Sequence, residues 1–223
     1  MPFLFFLFCL ICCAACGDDD YCYPSVVQEY LTVFTASDGR LHTVVTDGGQ
    51  TLPVADDRTG THVKPDTAYR IVSNYELIPA SGDEEAVRLY AVLNAIAPVP
   101  EPPDSFEDGV ETEEADVLSW WLGYGYLNVV VTVRQQGKHL FHFVEDEVTT
   151  DAGGSRRVRL TLYHAVESEV QDYTKRGYLS VPLQQYFTEG VRSLDVTLCV
   201  HTASGVKTLE LKQIGKTWKE GVF

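Results

Sequence analysis

The chain has 223 residues and a formal net charge of −15, because 32 Asp and Glu outnumber 17 Lys and Arg. Nucleic-acid binding draws its affinity from Lys and Arg that neutralise phosphates, and a negative field repels a polyanion, so this charge argues against a nucleic-acid partner. Twelve Tyr and ten Phe favour strands over helices. The acidity fits the soluble surface of a folded, strand-rich protein.

An uncharged apolar run occupies residues 3–15. As a helix it would be about 20 Å long, against about 30 Å for the hydrocarbon core of a bilayer, so it is too short to span a membrane. It matches the apolar region of a signal peptide, with small residues before the cleavage point. The sequence therefore predicts that residues 1–15 are removed and that Cys16 is acylated, for example with palmitate. Multiple acyl chains would anchor the chain stably through a tether at residues 16–25.

The acidic residues 18–20 follow Cys16 directly. They resemble the signal that sends lipoproteins to the outer face of the outer membrane in anaerobic Gram-negative gut bacteria, so we expect a lipid-anchored, surface-exposed protein. Two alternatives stay open, which are acylation of Cys13 and an ordinary secretory signal that releases a free product. The absence of Lys and Arg before the apolar run indicates a translation start upstream of Met1.

Only Cys22 and Cys199 remain in the mature chain once the signal peptide and the acylated cysteine are set aside. Two cysteines cannot form a disulfide framework, although they could form one bridge in an oxidising envelope. Cys22 lies in the tether beside the anchor, and the sequence does not fix its distance from Cys199. Whether Cys22 and Cys199 form this disulfide is therefore left undecided.

Residues 26–98 alternate β-branched and aromatic runs with Gly-containing turns, such as those at 37–40 and 47–49. The predicted strands lie at 26–36, 41–46, 51–54, 68–77 and 86–97. Five short strands with no convincing helix predict a small barrel.

Residues 99–116 are predicted to link two domains. Four prolines within residues 98–103 remove backbone hydrogen-bond donors. Eight acids and no basic residue lie between positions 101 and 116, which is typical of a solvated connector. A calcium site is the alternative for these carboxylates, but their spacing lacks the alternating acidic pattern and central Gly of an EF-hand loop.

Residues 117–218 again carry short strand-forming runs, and regular short strands favour a β-sandwich. The runs lie at 117–133, 139–144, 157–165, 178–183, 194–202 and 206–214. Gly123 and Gly125 interrupt the first run, which we interpret as a strand bulge. Apolar and polar residues alternate from 157 to 165, so one face of that strand is buried, and Pro182 predicts a sheet edge or a strand end. The fold class predicted for the whole chain is all-β.

The strongest candidate for catalysis is a strand that carries Asp195, Thr197, Cys199 and His201 on one face. An acid, a thiol and an imidazole are the groups that cysteine nucleophiles use. Same-face neighbours lie about 7 Å apart along a strand, however, beyond direct hydrogen-bond reach for most rotamers. Polar alternation on a solvated face explains the pattern without chemistry, so we expect no enzyme.

His139 and His142 are three residues apart on a predicted strand and therefore project from opposite faces. They cannot chelate one metal ion as a pair. The sequence also lacks a paired-cysteine motif and a Gly-rich phosphate loop that opens a helix. We expect neither a metal nor a cofactor.

Trp120 and Trp121 are the candidate binding feature. Adjacent strand residues point to opposite faces, so burying both rings requires two covered faces. An exposed ring, with Tyr124 nearby, would offer a platform on which a sugar stacks. The alternative, which we favour, places one ring in the sandwich core and the other over the domain junction.

Three stretches carry a family resemblance: SWWLGYGYLN at 119–128, KHLFHFV at 138–144, and a segment running from LYH at 162–164 through QDY at 171–173 to GYLS at 177–180. In order and spacing they resemble NigD-like proteins, from about residue 26 to 218. The resemblance implies an N-terminal OB-like barrel followed by a C-terminal β-sandwich, a role in bacteriocin immunity, and no enzymatic residues. The chain departs from the family pattern in its two adjacent Trp residues and in Tyr163-His164, where an Arg-His pair is usual.

Two functions follow as expectations. The first is a surface lipoprotein that binds a protein or other ligand without catalysis, with bacteriocin immunity as the implied role. The second is a glycan-binding accessory lipoprotein, motivated by the OB-like barrel and by Trp120 and Trp121. Neighbouring genes would discriminate them, because a bacteriocin operon favours the first and a glycan-utilisation locus the second.

Overall fold

A computed structural model describes residues 25–134, 137–167 and 174–215. The predicted signal peptide, Cys16 with its predicted acylation, and Cys22 lie outside the described residues. Regular secondary structure in the described residues is almost entirely β-strand, and these residues contain no helix long and apolar enough to cross a membrane.

The first five strands close into a barrel. They are β1 Val27–Thr35, β2 Leu41–Thr46, β3 Thr51–Asp57, β4 Ala68–Pro79 and β5 Glu85–Asn94. Around the barrel the order is β1, β2, β3, β5, β4, with β4 returning antiparallel to β1 and β3 running parallel to β5. This closed ring confirms the predicted five-stranded, OB-like barrel.

Side chains alternate along the barrel strands, so that apolar residues fill the barrel and the residues between them point outward. Leu31, Val33 and Ile71 point inward and are at most 1% exposed. Thr32 and Arg70 point outward, yet both are buried as well. Outward positions become buried only where another layer covers them, and here the second domain lies against β1 and β4.

The remaining strands form two facing sheets. They are β6 Asp116–Gly123, β7 Tyr126–Val133, β8 His139–Thr150, β9 Ser155–Val166, β10 Lys175–Pro182, β11 Ser193–Thr202 and β12 Gly205–Ile214. One sheet has the order β10, β7, β6 and the other has the order β12, β11, β9, β8, with β11 parallel to β9. Apolar side chains of both sheets meet in one buried core, so the predicted β-sandwich is confirmed.

Two local predictions in the sandwich are confirmed. On β9, Val158, Leu160 and Leu162 are at most 2% exposed while Arg157 faces solvent, which is the expected alternation. Pro182 is the last residue of β10, and β10 is an edge strand of its sheet.

The interpretation of Gly123 and Gly125 as a strand bulge is wrong. Gly123 ends β6 and pairs with Tyr126, so Tyr124 and Gly125 form a two-residue hairpin turn. Gly125 has a φ of 78°, a conformation that glycine adopts without strain. The irregularity in this hairpin lies near the start of β6 instead.

The predicted linker runs along the sandwich and is hydrogen-bonded to it. Glu101 exchanges backbone hydrogen bonds of 3.1 and 2.7 Å with the free edge of β8. Residues 111–115 bond to β9 at His164, at 2.9 and 3.0 Å, and to β11 at His201, at 2.8 Å. We call residues 101–115 the strap. Most of its carboxylates are exposed, but its backbone belongs to the fold of the sandwich.

One aromatic side chain fixes the middle of the strap. The Phe106 ring stacks on Tyr163 of β9 with centroids 4.9 Å apart and meets the His142 ring of β8 edge-on at 5.3 Å. His142 and Tyr163 are directly paired across the two strands. The strap therefore covers one end of the outer face of the four-stranded sheet and leaves the other end open.

Candidate functional site

The outer face of the four-stranded sheet holds a groove of about 580 Å³ at the end that the strap leaves open. Its lining side chains are polar and come from all four strands: Glu147 and Thr149 of β8, Arg157 and Arg159 of β9, Asp195 and Thr197 of β11, and Lys212 of β12. We call this feature the outer groove.

The side chains of β9 alternate between the core and the outer face, and this alternation directs both arginines of the outer groove outward. Val158 lies between them and points into the core, where it is 2% exposed, so Arg157 and Arg159 project from the opposite side and are both exposed. β9 is hydrogen-bonded to β8 on one side and to β11 on the other. The two guanidinium groups therefore stand on a strand that is held along both edges.

A bulge in β8 supplies acidic side chains to the same face. Glu145 faces the interior, where its Oε2 accepts a hydrogen bond of 2.7 Å from the Tyr186 hydroxyl. The register then shifts between Glu145 and Glu147. As a result Asp146, which accepts a bond of 2.8 Å from Thr161 Oγ1, and Glu147, which pairs opposite Arg159, both lie on the outer face. Bulges commonly re-aim a side chain in this way.

The outer groove is less acidic than the chain as a whole. Three lining side chains are basic and two are acidic, whereas the whole chain has 17 basic and 32 acidic residues. Lys212 Nζ lies 2.8 Å from Glu210 Oε2, and this carboxylate raises the pKa of the ammonium group. With Glu210 beside Lys212, three basic side chains stand among three acidic ones, in a protein whose net charge is −15.

The candidate catalytic strand lies partly in the outer groove. Leu198 and its same-face neighbours are buried, and the opposite face carries Asp195, Thr197, Cys199 and His201, as predicted. Asp195 and Thr197 line the groove, but Cys199 lies outside it and is only 6% exposed. The acid and the thiol are four residues apart on one strand, about 13 Å, so the structure does not bring them together.

The histidines of β8 project from opposite faces, as predicted. His142 lies against Phe106, whereas His139 Nδ1 lies 2.9 Å from Nε2 of His164, which is 1% exposed. His164 Nδ1 is 3.0 Å from the Glu113 carbonyl oxygen, which can only accept, so this nitrogen carries the proton and Nε2 accepts from His139. Burial lowers the pKa of the His164 imidazole. In the described part of the chain, no three His, Cys, Asp or Glu side chains converge as metal ligands.

A second polar cluster lies at the junction of the barrel and the sandwich, around Arg70. The Arg70 side chain is 2% exposed and donates to both domains. Within the barrel it bonds to Thr32 Oγ1 at 3.3 Å and forms a short ion pair with Asp47. On the sandwich side it bonds to Ser180 Oγ at 3.1 Å and Asn128 Oδ1 at 3.0 Å.

Asp47 completes the cluster from the turn between β2 and β3. Its Oδ2 accepts hydrogen bonds from Trp121 Nε1 at 2.9 Å and from Asn128 Nδ2 at 2.7 Å. Gly123 makes room for this approach, because a Cβ there would overlap the Asp47 carboxylate and the Asn128 amide. Each charged group at the junction therefore has several partners, which is what a buried ion pair requires to be stable.

Two tyrosine rings flank the Arg70 guanidinium. Its central carbon lies 4.4 Å from the centre of the Tyr126 ring and 5.4 Å from that of Tyr30. The Tyr30 hydroxyl donates to the Val129 carbonyl oxygen at 3.3 Å, which links the barrel to β7. Burial raises the pKa of the Tyr30 phenol above its ordinary value, so this donor stays neutral.

The aromatic residues singled out from the sequence make contacts within the chain. Trp120 packs against the sandwich core, and Trp121 meets the edge of Tyr30 at the junction with centroids 5.3 Å apart. Tyr124 lies against Gly49 of the barrel, where an added Cβ would be 3.0 Å from the ring. This is the arrangement favoured from the sequence, with one Trp at the core and one at the junction. A part for these residues in glycan binding stays a prediction.

The junction cluster was missed from the sequence. Arg70 stands between Tyr69 and Ile71 in a largely apolar strand, and an isolated Arg in such a strand is a signal of burial against a partner. Asp47 gave no comparable signal, because an acid beside two glycines is typical of an exposed turn.

Comparison with known proteins places the chain in a family. Residues 96–213, more than half of the sequence, match the family model described as the NigD-like C-terminal beta sandwich domain. The chain belongs to the NigD-like family. The matched residues of this NigD-like protein include the whole outer groove, whereas Arg70 and Asp47 come from the barrel.

Solved structures agree with this assignment. A NigD-like immunity protein from Bacteroides caccae is 33% identical, with a TM-score of 0.69 over 86% of this chain and 94% of that one. A candidate toxin-related protein from Parabacteroides distasonis is 17% identical, with a TM-score of 0.70 over 86% and 95%. A candidate lipoprotein from Bacteroides fragilis is 13% identical, with a TM-score of 0.62 over 86% and 99%. The last two show the shared fold alone, and comparison with curated proteins finds no match.

Proposed function

We propose that this NigD-like protein is a binding protein without catalytic activity, held on the surface of the outer membrane by lipid on Cys16, and that its role is immunity against a bacteriocin. The observation that carries the binding role is the outer groove, in which seven polar side chains stand on four paired strands around about 580 Å³ of space. Sites of this size accept a small ligand or part of a protein partner. The 33% identical immunity protein from Bacteroides caccae supports the biological role.

The geometry of the Cys199 strand supports binding over catalysis. A cysteine nucleophile requires an accessible sulfur and a base within hydrogen-bond reach. Cys199 is 6% exposed. Its same-face neighbours Thr197 and His201 are about 7 Å away along the strand. The polar face of β11 contributes hydrogen-bonding groups to the groove, and the thiol packs beneath the surface.

Gene deletion tests the immunity role. A deletion strain challenged with bacteriocin preparations from related strains should become at least tenfold more sensitive to one of them. The wild-type gene should restore resistance, and so should Cys199→Ser, because the thiol has no chemical part in binding. Cys16→Ser should not restore it, because the protein would no longer be held at the cell surface.

Three outcomes would contradict the proposal. Unchanged sensitivity of the deletion strain to every preparation would remove the immunity role. Loss of protection by a normally folded Cys199→Ser variant would indicate thiol chemistry. Mass spectrometry of the mature N-terminus without lipid on Cys16 would remove the anchor.

A further inference from the structure

We propose that the outer groove binds an extended segment of a partner protein, in which two acidic side chains at alternate positions pair with Arg157 and Arg159. This inference deepens the proposed function, on which it rests, by naming the binding site and the chemistry that it recognises.

The spacing of the two arginines matches an extended peptide. Arg157 and Arg159 are two residues apart on β9, so their backbone positions are about 7 Å apart on one face. Alternate side chains of an extended segment repeat at the same distance. Each guanidinium offers a planar fork of donors that holds a carboxylate through two parallel hydrogen bonds. Two acidic side chains at alternate positions would therefore meet both arginines at once.

The scaffold beneath the arginines keeps this spacing fixed. Val158, between them, is 2% exposed in the sandwich core, and β9 is paired with β8 and with β11 at both arginine positions. Sites built on paired strands hold their side chains more precisely than sites on loops. Little backbone ordering would be needed when a partner binds.

The flanking side chains favour a peptide over a dense polyanion. Glu147 stands beside Arg159 on the β8 side, and Asp195 stands beside Arg157 on the β11 side. A sulfated glycan or a nucleic acid, with charge on every unit, would place negative groups against these carboxylates. An extended peptide presents acids at alternate positions only, and its other side chains point away. Such flanking charges select among partners as well as attract them.

Local charge also favours an acidic segment. The outer groove has three basic and two acidic side chains, in a chain whose net charge is −15. With Glu210 paired to Lys212 the groove is close to charge balance, so an acidic segment meets less repulsion there than elsewhere on the protein. Its volume of about 580 Å³ lies within the range of about 300 to 1,000 Å³ that is typical of ligand pockets, which is enough room for the facing side chains of a short extended segment.

Labelled peptides test the inference on the full mature chain purified in detergent. One peptide carries two glutamates at alternate positions in a threonine and glycine background. A second has the same composition with the glutamates adjacent, a third has lysines at alternate positions, and the fourth probe is a heparin oligosaccharide. Fluorescence polarisation should show tightest binding of the alternate-glutamate peptide. The double variant Arg157→Gln/Arg159→Gln should weaken this binding at least tenfold.

Matched variants keep the result interpretable. Arg40→Gln/Arg58→Gln removes two exposed barrel arginines and the same total charge, and should bind the peptide as the wild type does. Arg157→Lys/Arg159→Lys keeps the charge but loses the planar forks, and should bind several-fold more weakly than the wild type. Both groove arginines are exposed, so unfolding midpoints should agree among all variants.

Several results would overturn the inference: equal binding of the two glutamate peptides, preference for the lysine peptide, preference for heparin, or unchanged affinity in the groove double variant. Its failure is distinguishable from that of the immunity role. A double variant that loses the peptide yet still protects cells would remove the groove as the partner site and leave immunity standing. A deletion strain of unchanged sensitivity would remove immunity and leave the peptide result intact.

Discussion

Arg70 illustrates how one buried charge can hold two domains together. Its guanidinium contacts Thr32 and Asp47 in the barrel and Asn128 and Ser180 in the sandwich. Removing a charge from water costs several kcal/mol per ion, and this cost is offset only when every partner is in place. The cluster therefore favours one relative position of the two domains over others.

Replacing Arg70 tests this role. Arg70→Met leaves Asp47 buried at the junction without its cation, so we expect a loss of about 3 to 5 kcal/mol in the free energy of unfolding. Arg58→Met is the matched control, because it breaks only the exposed pair with Asp56 and should change stability far less. Urea unfolding of both variants measures the difference. Similar small losses in the two variants would contradict a structural role for the junction cluster.

The His164 imidazole gives the fold a pH dependence with a definite sign. Burial lowers its pKa in the folded state below the ordinary value of 6.5. Between these two values the unfolded chain binds the proton more readily than the folded chain, so stability falls as the pH drops below about 6.5. Above that value the imidazole is neutral in both states, and its contribution to stability is constant.

Substitution isolates this effect. His164→Gln should reduce the loss of unfolding free energy between pH 7.5 and pH 5 relative to the wild type, because the buried group that takes up a proton on unfolding is absent. His62→Gln changes an exposed imidazole and should leave the pH dependence as it is in the wild type. Chemical unfolding at several pH values gives both slopes. An identical slope in the wild type and in His164→Gln would refute the assignment.

The strap shows that the composition of a segment predicts the exposure of its side chains but not the hydrogen bonds of its backbone. Its seven acids and the prolines at and before its start predict solvent exposure, and most of its side chains are exposed. Composition describes side chains, however, and carries no information on where backbone groups bond. The hydrogen bonds of Glu101 to β8 and of residues 111–115 to β9 depend on strands that lie 40 or more positions later in the chain.

Phe106 should control how firmly the strap is held. Phe106→Ala removes the stack on Tyr163 and the edge contact with His142, and aromatic pairs contribute about 0.5 to 1.5 kcal/mol each. We expect local opening of the strap, seen as faster hydrogen exchange at the amides of Glu113 and His164, which bond across the strap and β9.

Val110→Ala is the control for this experiment, because Val110 is 40% exposed and lies in the same segment. Its exchange rates should match those of the wild type. Equal exchange at both amides in Phe106→Ala and Val110→Ala would show that the ring does not hold the strap.

The strands themselves could be predicted because their signals are local. The alternation of β9 and the turns of the barrel require only neighbouring residues, and both appear in the structure. The outer groove could not be predicted from local signals alone. Arg157 and Arg159 were recognised as one face, but the β8 bulge that brings Glu147 beside them, and the parallel pairing that brings Asp195, are tertiary features. Gly123 was misassigned for a different, local reason, since it flanks a two-residue hairpin turn and not a bulge.

At the scale of the molecule, the barrel and the sandwich behave as one body. β1 and β4 bury Thr32 and Arg70 against the sandwich, and the chain leaving β5 pairs with β10 through Ile96, whose amide donates to the Tyr178 carbonyl oxygen at 2.9 Å. The contacts at the junction are buried and polar, so separating the domains would expose groups that have lost their partners. Independent unfolding of either domain is therefore unfavourable.

Equilibrium unfolding tests this coupling. We expect one transition, with coincident curves from far-UV circular dichroism, which reports all strands, and from tryptophan fluorescence, to which Trp120 and Trp121 contribute from the sandwich and the junction. Two resolved transitions in the wild type would contradict coupling through the junction.

The strap also bears on the solubility of the protein. An edge strand exposes unpaired amides and carbonyls that can pair with another chain, and β8 is such a strand. Glu101 occupies part of this edge, and the exposed carboxylates that follow repel a second acidic copy. A variant with a detached strap would therefore reveal itself first as an aggregating protein, before any loss of partner binding became measurable.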